Sequence, residues 1–207
     1  MSATTPPVPP RARLGWPLLL ALPALSLAAA GLLHPSGLSY ETSWRWFWLH
    51  VPGLLVFPLV GVALATLVRG RRDAVAWLVR LAAYVYATFY TALDVVSGIG
   101  AGWVTHQLGP GVPRPEAVSQ MFRIGTPLGR VGEIALVVTV VALVADRVWR
   151  RRSGAVLGGV LLLPGAWLVH LEHIFAPVGV GGMVLLGLGT AVLAATEPPG
   201  TRSTASS

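Results

Sequence analysis

The sequence predicts an all-α polytopic integral membrane protein, a bundle of six transmembrane helices with both termini in the cytoplasm. Three observations predict it. Only 11% of the 207 residues are charged, against about 25% in a soluble domain, and the mean hydropathy is +0.69. Six apolar stretches reach the roughly 20 residues needed to cross a ~30 Å hydrocarbon core. The basic residues, all arginine, cluster in short connections between those stretches, which is how membrane orientation is encoded.

Residues 1–13 are rich in Pro, Ser and Thr, and read as a disordered cytoplasmic tail ending at Arg11 and Arg13. Span 1 covers about 14–33 and is closed by His34 and Pro35. The same segment resembles a cleavable signal peptide, but its run is longer than a usual signal core and holds Pro17 and Pro23. Residues 36–46 read as a loop. Span 2 covers about 47–68 and is followed by Arg69, Arg71 and Arg72. Span 3 covers about 74–97. A Gly/Pro-rich outer connection over 98–127 follows, with one short surface helix expected at 115–123, where Pro115 takes the first position and Glu116 the first turn. Span 4 covers about 128–148 and precedes Arg150, Arg151 and Arg152; span 5 covers 154–175. A tight turn at Ala176 and Pro177 leads to span 6 at 178–195, and residues 196–207 form a second cytoplasmic tail.

With the N-terminus inside, ten arginines fall in cytoplasmic segments. Arg80 is close enough to snorkel to that side, and only Arg45, Arg114, Arg123 and Arg130 fall outside. Trp44, Trp46 and Trp48 fit an outer interfacial belt. Arginine in short clusters is not the basic face that nucleic acid requires, so the partners implied are the lipid bilayer and other membrane subunits. The absence of cysteine excludes disulfides and thiolate ligation. The Ala, Gly, Val, Arg and Pro bias is that of a GC-rich, bacterial genome.

On this topology all five histidines lie near the outer face. His34 reads as a helix-end residue among headgroups, and His106 as a solvated loop histidine. Asp94 lies 14 residues beyond Arg80, about 21 Å along a helix, in the outer third of span 3. Ionisable groups inside spans are costly and face a bundle interior or cavity. Tyr86, Tyr90, Asp94 and Ser97 fall on one arc of a helix, and His170 and His173, at i, i+3, share a face. The expected outward-facing pocket is therefore His50, Tyr90, Asp94, Glu133, His170 and His173.

Imidazoles with carboxylates suit a divalent transition metal, with His50, Asp94, Glu133, His170 and His173 as the candidate ligands. Haem ranks behind that reading, because a bis-haem bundle needs histidines near both faces. The same groups without metal can relay protons. Two other functions compete: a non-enzymatic accessory subunit whose polar cluster pairs internally, and a metal-dependent membrane hydrolase. Local pairing offers plainer roles: Glu133 with Arg130 at i−3, and Asp146 with Arg150 at i+4. Gly154 and Gly158, with the glycines of span 6, predict close backbone approach of spans 5 and 6. Gly98, Gly100 and Gly102 predict a bend or break after Asp94. No Walker-type loop, H-E-x-x-H or G-x-S-x-G occurs, so no catalytic residue is assigned.

Overall fold

The computed structural model describes residues 10–150, 152 and 154–196. Of the tails expected over 1–13 and 196–207, residues 1–9 and 197–207 lie outside the described residues, as do Arg151 and Ser153. Everything regular among them is helical: α1 (Pro10–Leu33), α2 (Tyr40–Thr66), α3 (Ala74–Leu93), a π-helical segment (Asp94–Gly100), α4 (Ala101–Leu108), α5 (Glu116–Trp149), α6 (Ala155–Glu172) and α7 (Val178–Ala195). α3, the π segment and α4 run on without a gap.

The long helices close a ring. α1 packs on α2, α2 on α3, α3 on α5, α5 on α6, α6 on α7, and α7 returns to α1. The core of the ring includes Phe57, Leu64, Leu136, Leu143, Leu162, Met183, Leu186 and Leu193. Its outer surface is equally apolar: Leu32, Leu55, Leu81, Val156 and Val160 are all exposed. An apolar exterior on an apolar core is compatible with lipid as solvent. Among the described residues five helices, α1 (from Gly15), α2, α5, α6 and α7, are long and apolar enough to cross a membrane. The architecture is that of a helical bundle compatible with a bilayer. α3 falls short of that mark, and its run carries Arg80, Tyr84, Tyr86 and Tyr90.

Helix boundaries depart from the hydropathy reading wherever polar residues are helical. α1 begins at Pro10, inside the expected tail. α2 begins at Tyr40 rather than near 47, because Ser39 is extended and its backbone N–H donates to Thr42 Oγ1 (2.9 Å), starting the helix early. The 98–127 connection is largely helical. α4 occupies 101–108, and α5 runs unbroken from Glu116 through Pro127 to Trp149, so the short surface helix and span 4 are one element of 34 residues. The glycines after Asp94 do not break the helix; they accompany its widening into the π segment. α7 matches its expected span at both ends. α6 and α7 approach closely: a Cβ on Gly165 would lie 3.0 Å from the Gly182 carbonyl oxygen, and one on Gly189 would strike Leu162.

The two ends of the bundle differ in chemistry. At the arginine pole, Arg71 bonds Asp73 (2.8 Å) and Asp146 (2.5 Å), and Arg150 bonds Asp146 (2.8 Å) and Asp73 (3.4 Å). The expected Asp146–Arg150 pair is thus one side of a four-charge ring. Arg80 does reach this pole, donating to the carbonyls of Val68 (2.9 Å) and Arg71 (2.7 Å), while Arg147 donates to Leu67 (2.9 Å). These guanidinium groups satisfy carbonyls just past the C-terminus of α2. The other end is the histidine pole.

Candidate functional site

At the histidine pole α2 and the α3–π–α4 rod run antiparallel in close contact. The contact is possible because glycines face large side chains. Gly53 faces the Asp94 carboxyl, Gly98 faces the His50 ring, and Gly102 faces the α2 backbone at Phe47. On the opposite flank α5 receives the same rod: Gly125 against Ser97, Gly129 against Leu93 and Gly132 against Tyr90. Tyr86, Tyr90, Asp94 and Ser97 are all buried, so the polar stripe read from the sequence faces the bundle interior.

Asp94 is fully buried at the start of the π segment, and neither carboxyl oxygen has a hydrogen-bond partner. The Tyr86 hydroxyl is also buried and unpartnered. His50, buried across from Gly98, has Nδ1 2.7 Å from the Trp46 carbonyl oxygen. A carbonyl only accepts, so Nδ1 carries the hydrogen and Nε2 presents a lone pair. The Trp46 indole in turn donates to the Ser97 carbonyl inside the π segment (3.0 Å). Trp46 therefore points inward as a strut, whereas Trp44 and Trp48 remain exposed.

The two α6 imidazoles part company. α6 ends at Glu172, and His173 follows with φ 52°, so helical spacing no longer relates the pair. His170 turns to α5, with Nδ1 3.4 Å from Glu133 Oε2. Arg130 clamps that contact, donating to Glu133 (3.2 Å) and to the His170 carbonyl (2.7 Å). His173 turns to α3, with Nδ1 3.1 Å from the Tyr90 hydroxyl and its ring stacked on Tyr90 and Phe57. Of the six residues of the expected pocket, Tyr90 meets His173 and Glu133 meets His170, while Asp94 and His50 each face a glycine of the opposite helix, Gly53 and Gly98. Among the described residues no three of His, Asp or Glu come together in a group that could hold a metal ion.

Two histidines outside the expected pocket prove to be packed into this pole. His34 is wedged edge-on against Trp46, Phe175 and His50, the last with ring centroids 5.1 Å apart. Its Nδ1 donates to the Pro35 carbonyl (2.8 Å), and its Nε2 is buried without a partner. Burial holds its pKa below the ordinary histidine value, against the opposing Pro35 hydrogen bond, and Arg45 adds to the lowering. His106 sits on α4, stacked between Tyr40 and Trp44 and 3.2 Å from Ser43 Oγ. His34 closes span 1 beside Pro35, and that position alone gives no sign of the α6–α7 turn folding over it.

What the arrangement offers chemically is buried polar atoms without partners. His34 Nε2, both Asp94 oxygens and the Tyr86 hydroxyl are buried and unpartnered, and the fixed His50 tautomer adds a second lone-pair nitrogen beside His34. Compared with known proteins, the chain matches no protein family, no curated relative and no solved structure.

Proposed function

We propose that the chain is a six-span membrane protein with both termini cytoplasmic, in which α3, the π segment and α4 form the third crossing. On this reading the arginine pole is cytoplasmic and the histidine pole faces outward. Its activity is proton exchange at an outward-facing polar core centred on Asp94 and His50, with Tyr90, His173, Glu133 and His170 as neighbours.

One observation carries the reading: a carboxyl group buried in an apolar bundle with neither oxygen partnered. An unpaired carboxylate in such surroundings is costly, so a proton or another cation must reach it. The histidines gathered at the same pole are suited to pass a proton on. The proton reading is preferred to a divalent metal held by His50, Asp94, Glu133, His170 and His173 because among the described residues no three such side chains come together. The accessory-subunit reading draws on the pairs Glu133–Arg130 and Tyr90–His173, which satisfy each other internally. It leaves Asp94 without a reason.

The test is infrared difference spectroscopy of the reconstituted protein between acid and neutral pH. A carboxyl C=O band that titrates in the wild type and vanishes in Asp94→Asn is expected. Identical difference spectra for the two proteins would end the proton reading. Metal analysis of purified wild type beside His50→Ala tests the metal alternative in the same preparation. Stoichiometric metal lost on substitution would replace proton exchange with metal binding, and with it reopen the hydrolase.

A further inference from the structure

The arginine pole carries a cleft that the polar core does not use. It lies between α3 and α5 and has a volume of about 550 Å³. Val75 and Leu78 line one side, and Ala142 and Ala145 line the other. Two alanines where α5 elsewhere carries valine and leucine leave the groove unfilled. Its rim is charged. Asp73, Asp146 and Arg150 border it, and Trp149 stands beside them, 88% exposed.

The two rim aspartates are already held by Arg71 and Arg150. Arg69, Arg72 and Arg152 are exposed and have no ion-pair partner among the described residues. With Arg71 the rim itself is neutral, and Arg72, next to Asp73 in the chain, and Arg152, two residues after Arg150, add positive charge beside it. An apolar groove opening at a positive, tryptophan-flanked mouth complements one kind of molecule. An acyl chain fits the groove, and a phosphate with net negative charge fits the arginines, whose planar donor fork suits phosphate oxygens.

We propose that the α3–α5 cleft at the arginine pole is a binding site for one anionic phospholipid. The acyl chain lies along Val75, Leu78, Ala142 and Ala145, and the headgroup phosphate sits against Arg72 and Arg152. The site depends on the bundle lying in lipid, and not on the chemistry of Asp94.

Native mass spectrometry of the full chain in detergent, offered equal amounts of dioleoylphosphatidylglycerol and dioleoylphosphatidylcholine, tests the site. The wild type is expected to retain one phosphatidylglycerol in clear preference. Arg72→Gln is expected to lower that preference about five-fold, the effect of one arginine near a headgroup. Ala145→Phe fills the groove and is expected to abolish retention of both lipids. Equal retention of the two lipids by the wild type overturns the proposal, as does undiminished phosphatidylglycerol on Ala145→Phe. Should Ala145→Phe fail to fold, Arg72→Gln decides alone: an unchanged preference in a normally melting variant is equally fatal.

Discussion

Gly53 of α2 lies directly against the carboxyl of Asp94 on the π segment, and a Cβ at position 53 would collide with Asp94 Oδ2. One turn toward the histidine pole the relation is reversed, with Gly98 receiving His50. The two polar side chains are therefore positioned by glycines on the opposite helix. Gly53→Ala is expected to cost about 1–3 kcal/mol as an overpacked interior site and to displace the carboxyl. Gly98→Ala meets a ring tethered to the Trp46 carbonyl, which cannot withdraw without losing that bond, so its cost belongs at the upper end. Thermal melting in detergent measures both, and a Gly98→Ala protein that melts like the wild type would contradict this packing.

Asp94 and Tyr90 make opposite predictions although they are one turn apart. Asp94 has no hydrogen bond to lose, so Asp94→Asn is expected to leave stability unchanged or raise it by about 1 kcal/mol, since removing an unpaired ionisable group relieves a burial cost. Tyr90→Phe strands His173 Nδ1, whose partner is the Tyr90 hydroxyl. It is expected to cost about 1–2 kcal/mol. If Asp94→Asn proves the more damaging of the two, the carboxyl has a structural partner, and the accessory-subunit reading gains what the proton reading loses.

These contrasts show which parts of the molecule the sequence makes legible. An apolar run is a local property, so the bounds of α7 coincide with the apolar run at 178–195. The arc from Tyr86 to Ser97 is also local, and all four residues are buried as the 100° spacing requires. The π segment is not legible, because Gly98, Gly100 and Gly102 are equally suited to a bend. What selects widening over breaking is contact with α2 and α5, which lie far off in sequence. The His170–His173 pair fails for a local reason of another kind: the spacing argument assumes a helix that ends one residue too early. His34 is the clearest omission, since its burial is created by Phe175 and Trp46 arriving from elsewhere.

His34 makes the histidine pole sensitive to acid. Burial, the main cause, holds its folded pKa below the ordinary value. In the unfolded chain it takes up a proton near pH 6.5. Below that pH the unfolded state binds more protons than the folded state, so stability falls as pH drops and stops falling only below the folded pKa. His34→Phe keeps the aromatic contacts with Trp46 and Phe175 and removes the titration. Melting temperature against pH is expected to show an acid limb beginning near pH 6.5 in the wild type and a shallower limb in His34→Phe. A limb of unchanged depth would assign the acid sensitivity to another group.

Arg71 is the keystone of the opposite pole. It donates to both Asp73 and Asp146, joining the α2–α3 connection to the end of α5. The Asp146 side chain is only 4% exposed, so removing Arg71 leaves a buried carboxylate held by Arg150 alone. Arg71→Ala is expected to cost about 2–3 kcal/mol, below the full cost of breaking a buried pair because one partner remains. Arg71→Lys recovers only part of it, because an ammonium cannot span two carboxylates as a guanidinium does. Asp73 is the exposed member and caps α3 by accepting from the Ala76 N–H (3.1 Å). Its loss is expected to be milder and to shrink in high salt. Hydrogen bonds from Arg71, then from Ala76, hold the Asp73 carboxyl well below the usual carboxylate range. Its contribution is therefore complete above the ordinary carboxylate pKa and is lost only as pH falls through the lowered folded value. Unfolding followed from neutral pH downward should thus separate the two ends of the bundle. The histidine pole weakens first, near pH 6.5, while the Arg71 ring holds until strongly acidic conditions. A Arg71→Ala protein whose deficit disappears already at pH 6 would show that the ring does not carry the charge assigned to it.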